Sequence, residues 1–321
     1  MTFHPDSLPN LTGKVFIVTG GNSGIGFYTV SHLAAHGAHV YMCARSPEKG
    51  TAAINSIKEK HPSAKISLLQ MDLTDLSTVV HAANHFLTLE TTLHGLVNNA
   101  GIMATPFEMT TDGHEAQWQT NYLAHWVFTT HLLPVLRRTA KGAPAGSVRI
   151  VNITSSGHLA APKDGIHFDD PALSESGVWA RYGQSKLANI LHAKTLHAVY
   201  GPGSERARAG EGEIWVSSVH PGIVETNLSS SVDKASGSSF VGVVAIARML
   251  GLVWSADKGS WNSLFCVAGA EMKAEQAGGY LDVFGRCGEP WWQSGAAKDA
   301  RLAERLEQWT GEVMKREGWV Q

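Results

Sequence analysis

Residues 14–26 read KVFIVTGGNSGIG: an apolar, β-branched run, a glycine-rich turn, and the start of a helical pattern at Ile25. The run Lys14 to Thr19 predicts a buried strand. Glycines after it permit a tight turn and let the backbone approach a pyrophosphate seated on the amides of the helix that follows. Contacts to such a cofactor are expected from Gly20, Asn22, Ser23, Gly24, Ile25 and Gly26. No Gly-Lys-Ser/Thr follows, which argues against a Walker-type phosphate loop.

Outward from this turn, short apolar runs alternate with helical patterns to the end of the 321 residues. Strands are expected at 14–19, 38–44, 65–71, 93–98, 148–153, 214–219 and 278–283. Helices are expected at 25–36, 47–60, 75–89, 112–138, 178–200 and 297–316. Gly37 ends the first helix and Ser46-Pro47 opens the second. Residues 201–213, polar and rich in glycine, predict an exposed loop. Strands without polar alternation, separated by helices, imply a parallel sheet covered on both faces. The expected fold is α/β: a Rossmann-type, doubly wound, seven-stranded, mainly parallel sheet with helices on both faces. The alternation never breaks, so 1–321 reads as one domain, with ligands beyond the carboxyl ends of the strands.

Composition narrows the function classes. The chain is 43% hydrophobic and 17% charged, with a formal net charge of −2, which favours neither nucleic acid nor an anionic membrane. Three cysteines, Cys43, Cys266 and Cys287, are spaced too widely for a disulfide framework or a cysteine metal site, and fit a reducing, cytoplasmic setting. The first ten residues predict no secretory signal. The apolar stretch 240–254 contains Arg248 and is shorter than the roughly 20 residues of a membrane span, so a lid helix is expected there. The histidine pairs His32/His36 and His81/His85 have helical zinc-ligand spacing but no evident third ligand, and no metal is expected.

At the end of the second strand, an acid would hold the ribose of NAD, whereas a cation would read the 2′-phosphate of NADP. No acid occurs between Val40 and Ser46, and Arg45 is present, which points to NADP(H). Asp72-Leu73 closes strand three, where Asp72 either accepts from an adenine amino group or caps the helix that follows. Asn98-Asn99-Ala100-Gly101 closes strand four, with Asn99, Ala100 and Gly101 near the cofactor and a structural role expected first.

Tyr182 and Lys186 lie at i and i+4 on one helix face. An ammonium one turn away favours phenolate and is expected to lower the phenol's pKa from near 10. Ser155, after strand five, could hydrogen-bond a substrate oxygen, and Asn121 lies in the long helix after strand four. Ser155 with His158 raises a hydrolase reading, but the chain contains no G-x-S-x-G elbow.

In this order the motifs resemble those of the short-chain dehydrogenase/reductase family, single-domain branch: TGxxxGxG at 19–26, NNAG at 98–101, Asn121, Ser155, YxxxK at Tyr182 and Lys186, and Pro221-Gly222. Arg45, His220-Pro221-Gly222, residues 278–281 and Gly285-Arg286 are similar to the retinol-dehydrogenase-like and WW-domain-oxidoreductase-like subgroup, especially its fungal members, although no WW module is visible. The resemblance implies that Tyr182 is general acid in reduction and base in oxidation. Lys186 would tune it and hold the nicotinamide ribose, Ser155 (rather than Ser156) would polarise the carbonyl, and Asn121 would hold a water joining Lys186 to solvent. It also implies cofactor contacts from Pro221, Gly222, Val224 and Thr226, with Thr226 at the carboxamide.

The expected activity is NADP(H)-dependent reduction of a ketone or aldehyde, or oxidation of the alcohol, on a lipophilic small molecule, with secondary metabolism as one setting. A substrate loop and lid are expected at about 226–255. Trp179, Met103, Phe107 and Trp291-Trp292 are candidate pocket residues. Self-association as a homodimer or homotetramer is implied through the helices at 112–138 and 178–200. The alternative is a cofactor-binding protein without redox turnover: a sensor, a regulator or a cyclisation template.

Overall fold

The computed structural model describes residues 3–224, 253–282, 289–290 and 293–321. Thr226, most of the expected 226–255 loop and lid, Gly285-Arg286, Cys287, Trp291 and Trp292 lie outside the described residues.

Strands β1 (Val15–Thr19), β2 (His39–Ala44), β3 (Lys65–Gln70), β4 (Gly95–Asn98), β5 (Arg149–Ile153), β6 (Trp215–Val219) and β9 (Tyr280–Asp282) form the parallel sheet. Between β6 and β9, β7 (Ile223–Val224) and β8 (Val253–Trp254) pair as a separate two-stranded sheet. Beyond β9, β10 (Glu289–Pro290) adds an antiparallel edge. The order across the main sheet is β10-β9-β6-β5-β4-β1-β2-β3, so the crossover between β1 and β4 is the switch point where ligands enter such sheets. Seven parallel strands are as expected, and β10 is an addition.

Both faces are covered. Helices α1 (Gly24–Ala35) and α2 (Pro47–Lys60) are followed by α3 (Leu76–Leu89). The long helix after β4 is composite: α4 (Ala116–Trp118) passes through a π-helical turn (Gln119–Leu123) into α5 (Ala124–Lys141). Next come α6 (Val178–Tyr200), α7 (Glu205–Arg208), α8 (Ala256–Ala268), α9 (Gly295–Lys298) and α10 (Ala300–Arg316). One apolar core joins the sheet to α3, α5, α6 and α10 through residues such as Ile17, Phe86, Leu96, Phe128 and Leu306. Val18, Val40, Ile57, Val97, Val151 and Phe265 fill the other.

Two expectations change. The 201–213 loop contains α7, opened by Ser204, whose hydroxyl accepts from Ala207 N–H. The terminal helix is interrupted at Asp299, whose carboxylate caps α10 through the N–H groups of Arg301 and Leu302. α10 then lies on α5 and α6: Trp126 Nε1 donates to Glu307 at 2.9 Å, His192 Nδ1 meets Glu307 at 3.0 Å, and the Tyr122 and Thr310 hydroxyls are 2.7 Å apart. Part of the helix surface expected to serve self-association is therefore covered within the chain.

Candidate active site

The glycine turn leaves β1 beneath the carboxyl ends of the strands. Gly20 has φ +62°, a region that disfavours side chains. A Cβ at Gly26 would fall 2.3 Å from the Gly20 oxygen and 2.6 Å from Asn99 Nδ2, so the turn and the helix touch without space for one carbon. Ser23 stands at the N-cap of α1 but makes no side-chain capping bond. The helix thus offers its first-turn amides, the arrangement that receives phosphate. Asn99 Nδ2 donates to the Thr19 carbonyl at 2.8 Å, which fastens the β4 turn to the glycine turn.

Val224, which follows Pro221-Gly222, comes to the same place. Residue Gly259 of α8 is wedged between Val224 and Ile25; a Cβ there would lie 2.7 Å from one and 3.2 Å from the other. Arg45 follows β2 with its side chain 75% exposed and its Nε 4.0 Å from Asp72 Oδ2. It borders a cleft of about 880 Å³ that runs along β3 and α3 past Gln70, Ser77 and His81. Asp72 Oδ1 accepts from Thr74 N–H at 3.0 Å and from its hydroxyl at 2.8 Å, and Asp75 caps α3. Asp72 therefore shapes the β3–α3 turn rather than capping the helix. Leu73, buried beside it, accepts from Gln119 through its carbonyl. An uncapped helix start, a turn with no spare volume and an exposed guanidinium fit a dinucleotide.

Just after β5, Ser155 is extended and its hydroxyl accepts from Gly157 N–H at 3.0 Å. Ser156 is exposed. A Cβ on Gly157 would lie 2.6 Å from Tyr182 Cε1 and 3.3 Å from Ser155 Oγ, so Ser155 and Tyr182 share one pocket wall. Lys186 Nζ donates to the Ile153 carbonyl at 3.2 Å and lies 5.7 Å from the Tyr182 ring centroid. A Cβ on Gly101 would lie 3.3 Å from Lys186 Nζ and 2.9 Å from Asn121 Oδ1, which brings the two halves of the site together.

Burial governs the charges here. It pushes the Tyr182 phenol up to about 12, against a smaller downward pull from the Ser155 side chain. The same desolvation lowers Lys186 to about 8. The i, i+4 spacing predicts a depressed phenol; in this pocket removal from water sets the direction instead.

Asn121 sits in the π-helical turn. Its Oδ1 accepts from Ile102 N–H at 2.8 Å, and its Nδ2 donates to Ile102 O at 3.0 Å and to Ser185 Oγ at 2.9 Å. Both amide protons are in use, so a water on Asn121 would have to donate to Oδ1 or to the main-chain carbonyl. Asn98 donates to Thr129 and Asn152, tying β4 to α5 and β5, the structural role expected of this turn.

The elements that fold this way are those of one family. A family model described as short chain dehydrogenase matches residues 14–167. The short-chain dehydrogenase/reductase drtF of Aspergillus calidoustus is 52% identical over 315 residues, covering 97% of this chain and 97% of its own. The chain belongs to the short-chain dehydrogenase/reductase family. Members of this oxidoreductase family bind NAD(P). An uncharacterised oxidoreductase of Schizosaccharomyces pombe is 45% identical over 70% of this chain and 64% of its own. The crystal structure of an uncharacterised protein from Mycobacterium paratuberculosis superposes with a TM-score of 0.72 at 28% identity, covering 98% of both chains.

Other polar residues also border the site. His158 Nδ1 bonds the Ser155 main-chain oxygen at 2.7 Å rather than its hydroxyl, so no serine–histidine nucleophile pair exists there. Its Nε2 accepts from Ser294 N–H at 3.3 Å. Beside Tyr182, Arg181 pairs with Glu115 at 3.5 Å in a buried contact and donates to the Ser176 carbonyl. Of the histidine pairs, His32 bonds Asp257 at 2.7 Å, and His81 and His85 stack 6.4 Å apart. Among the described residues, no group of three could hold a metal ion and no helix is long and apolar enough to cross a membrane.

Proposed function

We propose that the chain reduces a ketone or aldehyde of a lipophilic small molecule with NADPH, or oxidises the corresponding alcohol with NADP, as one catalytic domain of the cytoplasm, with secondary metabolism as its setting. The observation that carries this reading is the convergence of Ser155, Tyr182 and Lys186 opposite an uncapped, glycine-lined helix start.

When bound, the nicotinamide exchanges the two electrons of the redox change with the substrate carbon. Ser155 Oγ positions the substrate oxygen, and Tyr182, whose phenol burial holds further above neutral pH, donates the proton to it. Lys186, anchored on the Ile153 carbonyl, stabilises the phenolate that remains and holds the ribose. Asn121 fixes the Ile102 backbone and Ser185 beneath this face. Gly20, Asn22, Ser23, Gly24, Ile25 and Gly26 cradle the pyrophosphate. Asp72, Leu73, Asn99, Ala100 and Gly101 line the adenosine and ribose side, and Pro221, Gly222, Val224 and Thr226 the nicotinamide side. Arg45 favours NADP because its guanidinium is open to a phosphate and no acid replaces it on β2.

A lipophilic substrate is supported by the pocket mouth. Trp179 packs edge-on to Tyr182 with ring centroids 6.2 Å apart, and Phe107, Met109 and Leu159 are exposed apolar side chains on the loops that follow β4 and β5. Isolated exposed apolar residues are ordinary, but their grouping on these loops suits an apolar ligand.

The test follows NADPH absorbance over a panel of lipophilic ketones and aldehydes, with NADH in parallel. Consumption that prefers NADPH supports the proposal. Tight NADPH binding with no consumption by any of the panel or by extracts of fungal metabolites would favour the non-redox alternative.

A further inference from the structure

A buried imidazole joins the glycine turn to the helix face that carries Tyr182. His125 lies on α5, four residues after Asn121, and is 3% exposed. Its Nδ1 is 3.1 Å from the main-chain oxygen of Asn121, and its Nε2 is 2.9 Å from Thr19 Oγ1. A carbonyl can only accept, so Nδ1 carries the proton. Nε2 then presents a lone pair, and the Thr19 hydroxyl must donate to it. With its proton so placed, Thr19 Oγ1 turns its lone pairs to the N–H groups of Asn99 and Ala100, each at 2.9 Å. Beyond Asn121, the amide bonds Ser185 Oγ, which in turn donates to the Tyr182 carbonyl at 2.8 Å. The Thr19 hydroxyl also lies 3.5 Å from the Val97 carbonyl, the longer of its two donor contacts, so the ring is its better acceptor; the path then passes through the main chain and side chain of Asn121 to the helix of the phenol.

Two further features mark this as more than a satisfied core histidine. The ring closes on the carbonyl of a π-helical turn, and such turns concentrate at functional sites. Burial keeps the imidazole neutral, at about 4, against an upward pull from its bond to the Asn121 carbonyl, and the charged or titratable neighbours Lys186 and His192 add to the lowering.

We propose that His125 is a positioning residue: its Nδ1–H tautomer couples the dinucleotide turn, through Thr19, to the Asn121–Ser185–Tyr182 side of the site. The inference rests on the proposed roles of that turn and of Tyr182.

Two substitutions separate the arms of the ring. In His125→Gln the amide oxygen reaches the place of Nε2 and keeps the Thr19 bond, while the Asn121 bond is lost. In His125→Asn the amide nitrogen takes the place of Nδ1 and keeps the Asn121 bond, while the Thr19 bond is lost. NADPH dissociation constants from fluorescence and kcat at saturating cofactor are measured for both. His125→Asn is expected to weaken NADPH by about three- to tenfold, as one net hydrogen bond implies, and more than it lowers kcat. His125→Gln should lower kcat by a similar factor, and more than it weakens NADPH. Thr19→Val also strands the Asn99 and Ala100 N–H groups, so it should weaken NADPH more than His125→Asn does, and adding His125→Asn to it should change little further. Equal changes in both quantities for both variants, or none in either, would reduce His125 to a packing residue. A folding-independent check uses 15N-histidine-labelled wild-type protein, with the ring identified by its loss in His125→Gln. The ring should remain an Nδ1–H neutral tautomer down to about pH 5; an Nε2–H ring, or one that titrates near 6.5, would overturn the proposal. The binding and tautomer arms need no turnover, so they stand or fall even if Tyr182→Phe retains full activity and the catalytic reading fails.

Discussion

The glycine turn at 20–26 and the Ser155–Tyr182–Lys186 face meet across the turn at 98–101, and they are built by opposite means. The turn works by subtraction: at Gly26 the missing Cβ is the space in which helix and strand touch. The opposite face works by addition, packing a phenol and an amine into the interior, where the phenol is pushed up to about 12 and the amine down to about 8. One side should therefore fail when an atom is added, and the other when a partner is removed.

Gly26→Ala puts this contrast under the greatest load. The added carbon would lie 2.3 Å from a backbone oxygen, which cannot rotate away. Overpacking of this kind costs about 1–3 kcal/mol or more, and NADPH affinity should fall by about 10²-fold, read by fluorescence titration and urea unfolding. An alanine variant with wild-type affinity would mean that the turn has slack. Ser155→Ala should lower kcat by about 10²-fold while NADPH binding persists; a loss confined to KM would make Ser155 a binding residue only.

Lys186→Met tests the energetic side. A lysine held at about 8 when folded and 10.5 when unfolded binds fewer protons folded than unfolded between those values. Stability from this group is therefore lowest below pH 8 and rises as pH climbs from 8 towards 10.5. Replacing it with methionine should flatten that rise and stabilise the protein at pH 7 by about 2–3 kcal/mol, measured as urea midpoints across pH. Arg45→Ala has the smallest expected effect, about a tenfold weaker NADPH complex with NADH affinity little altered, because the side chain is exposed and Asp72 already lies 4.0 Å away. If NADPH affinity does not move, the 2′-phosphate is read elsewhere.

Much of this was legible in the chain. Apolar β-branched runs separated by helical patterns specify the seven parallel strands, and their ends move by only a residue or two because caps such as Ser46 and Asp75 are local signals. Tyr182 and Lys186 announce themselves by spacing. The direction of the phenol's shift did not, because it depends on burial against the Ser155–Gly157 turn, a separate segment of the chain. Asp72 was ambiguous for a similar reason: only the fold shows Thr74 engaging one carboxylate oxygen while the other faces Arg45. His125 left no trace beyond a polar residue on an apolar helix four positions after Asn121, a pattern that usually means packing. Its partner Thr19 is 106 residues away, and the pairing exists only once β1 and α5 are stacked.

The central claim is that Tyr182 transfers the proton at a site whose cofactor side is built independently of it. The most direct test compares wild-type protein with Tyr182→Phe for NADPH affinity and for NADPH consumption with a lipophilic carbonyl that the wild type reduces. The account predicts a dissociation constant within about twofold of wild type and a turnover loss of about 10²–10⁴-fold. Full turnover in Tyr182→Phe would contradict it.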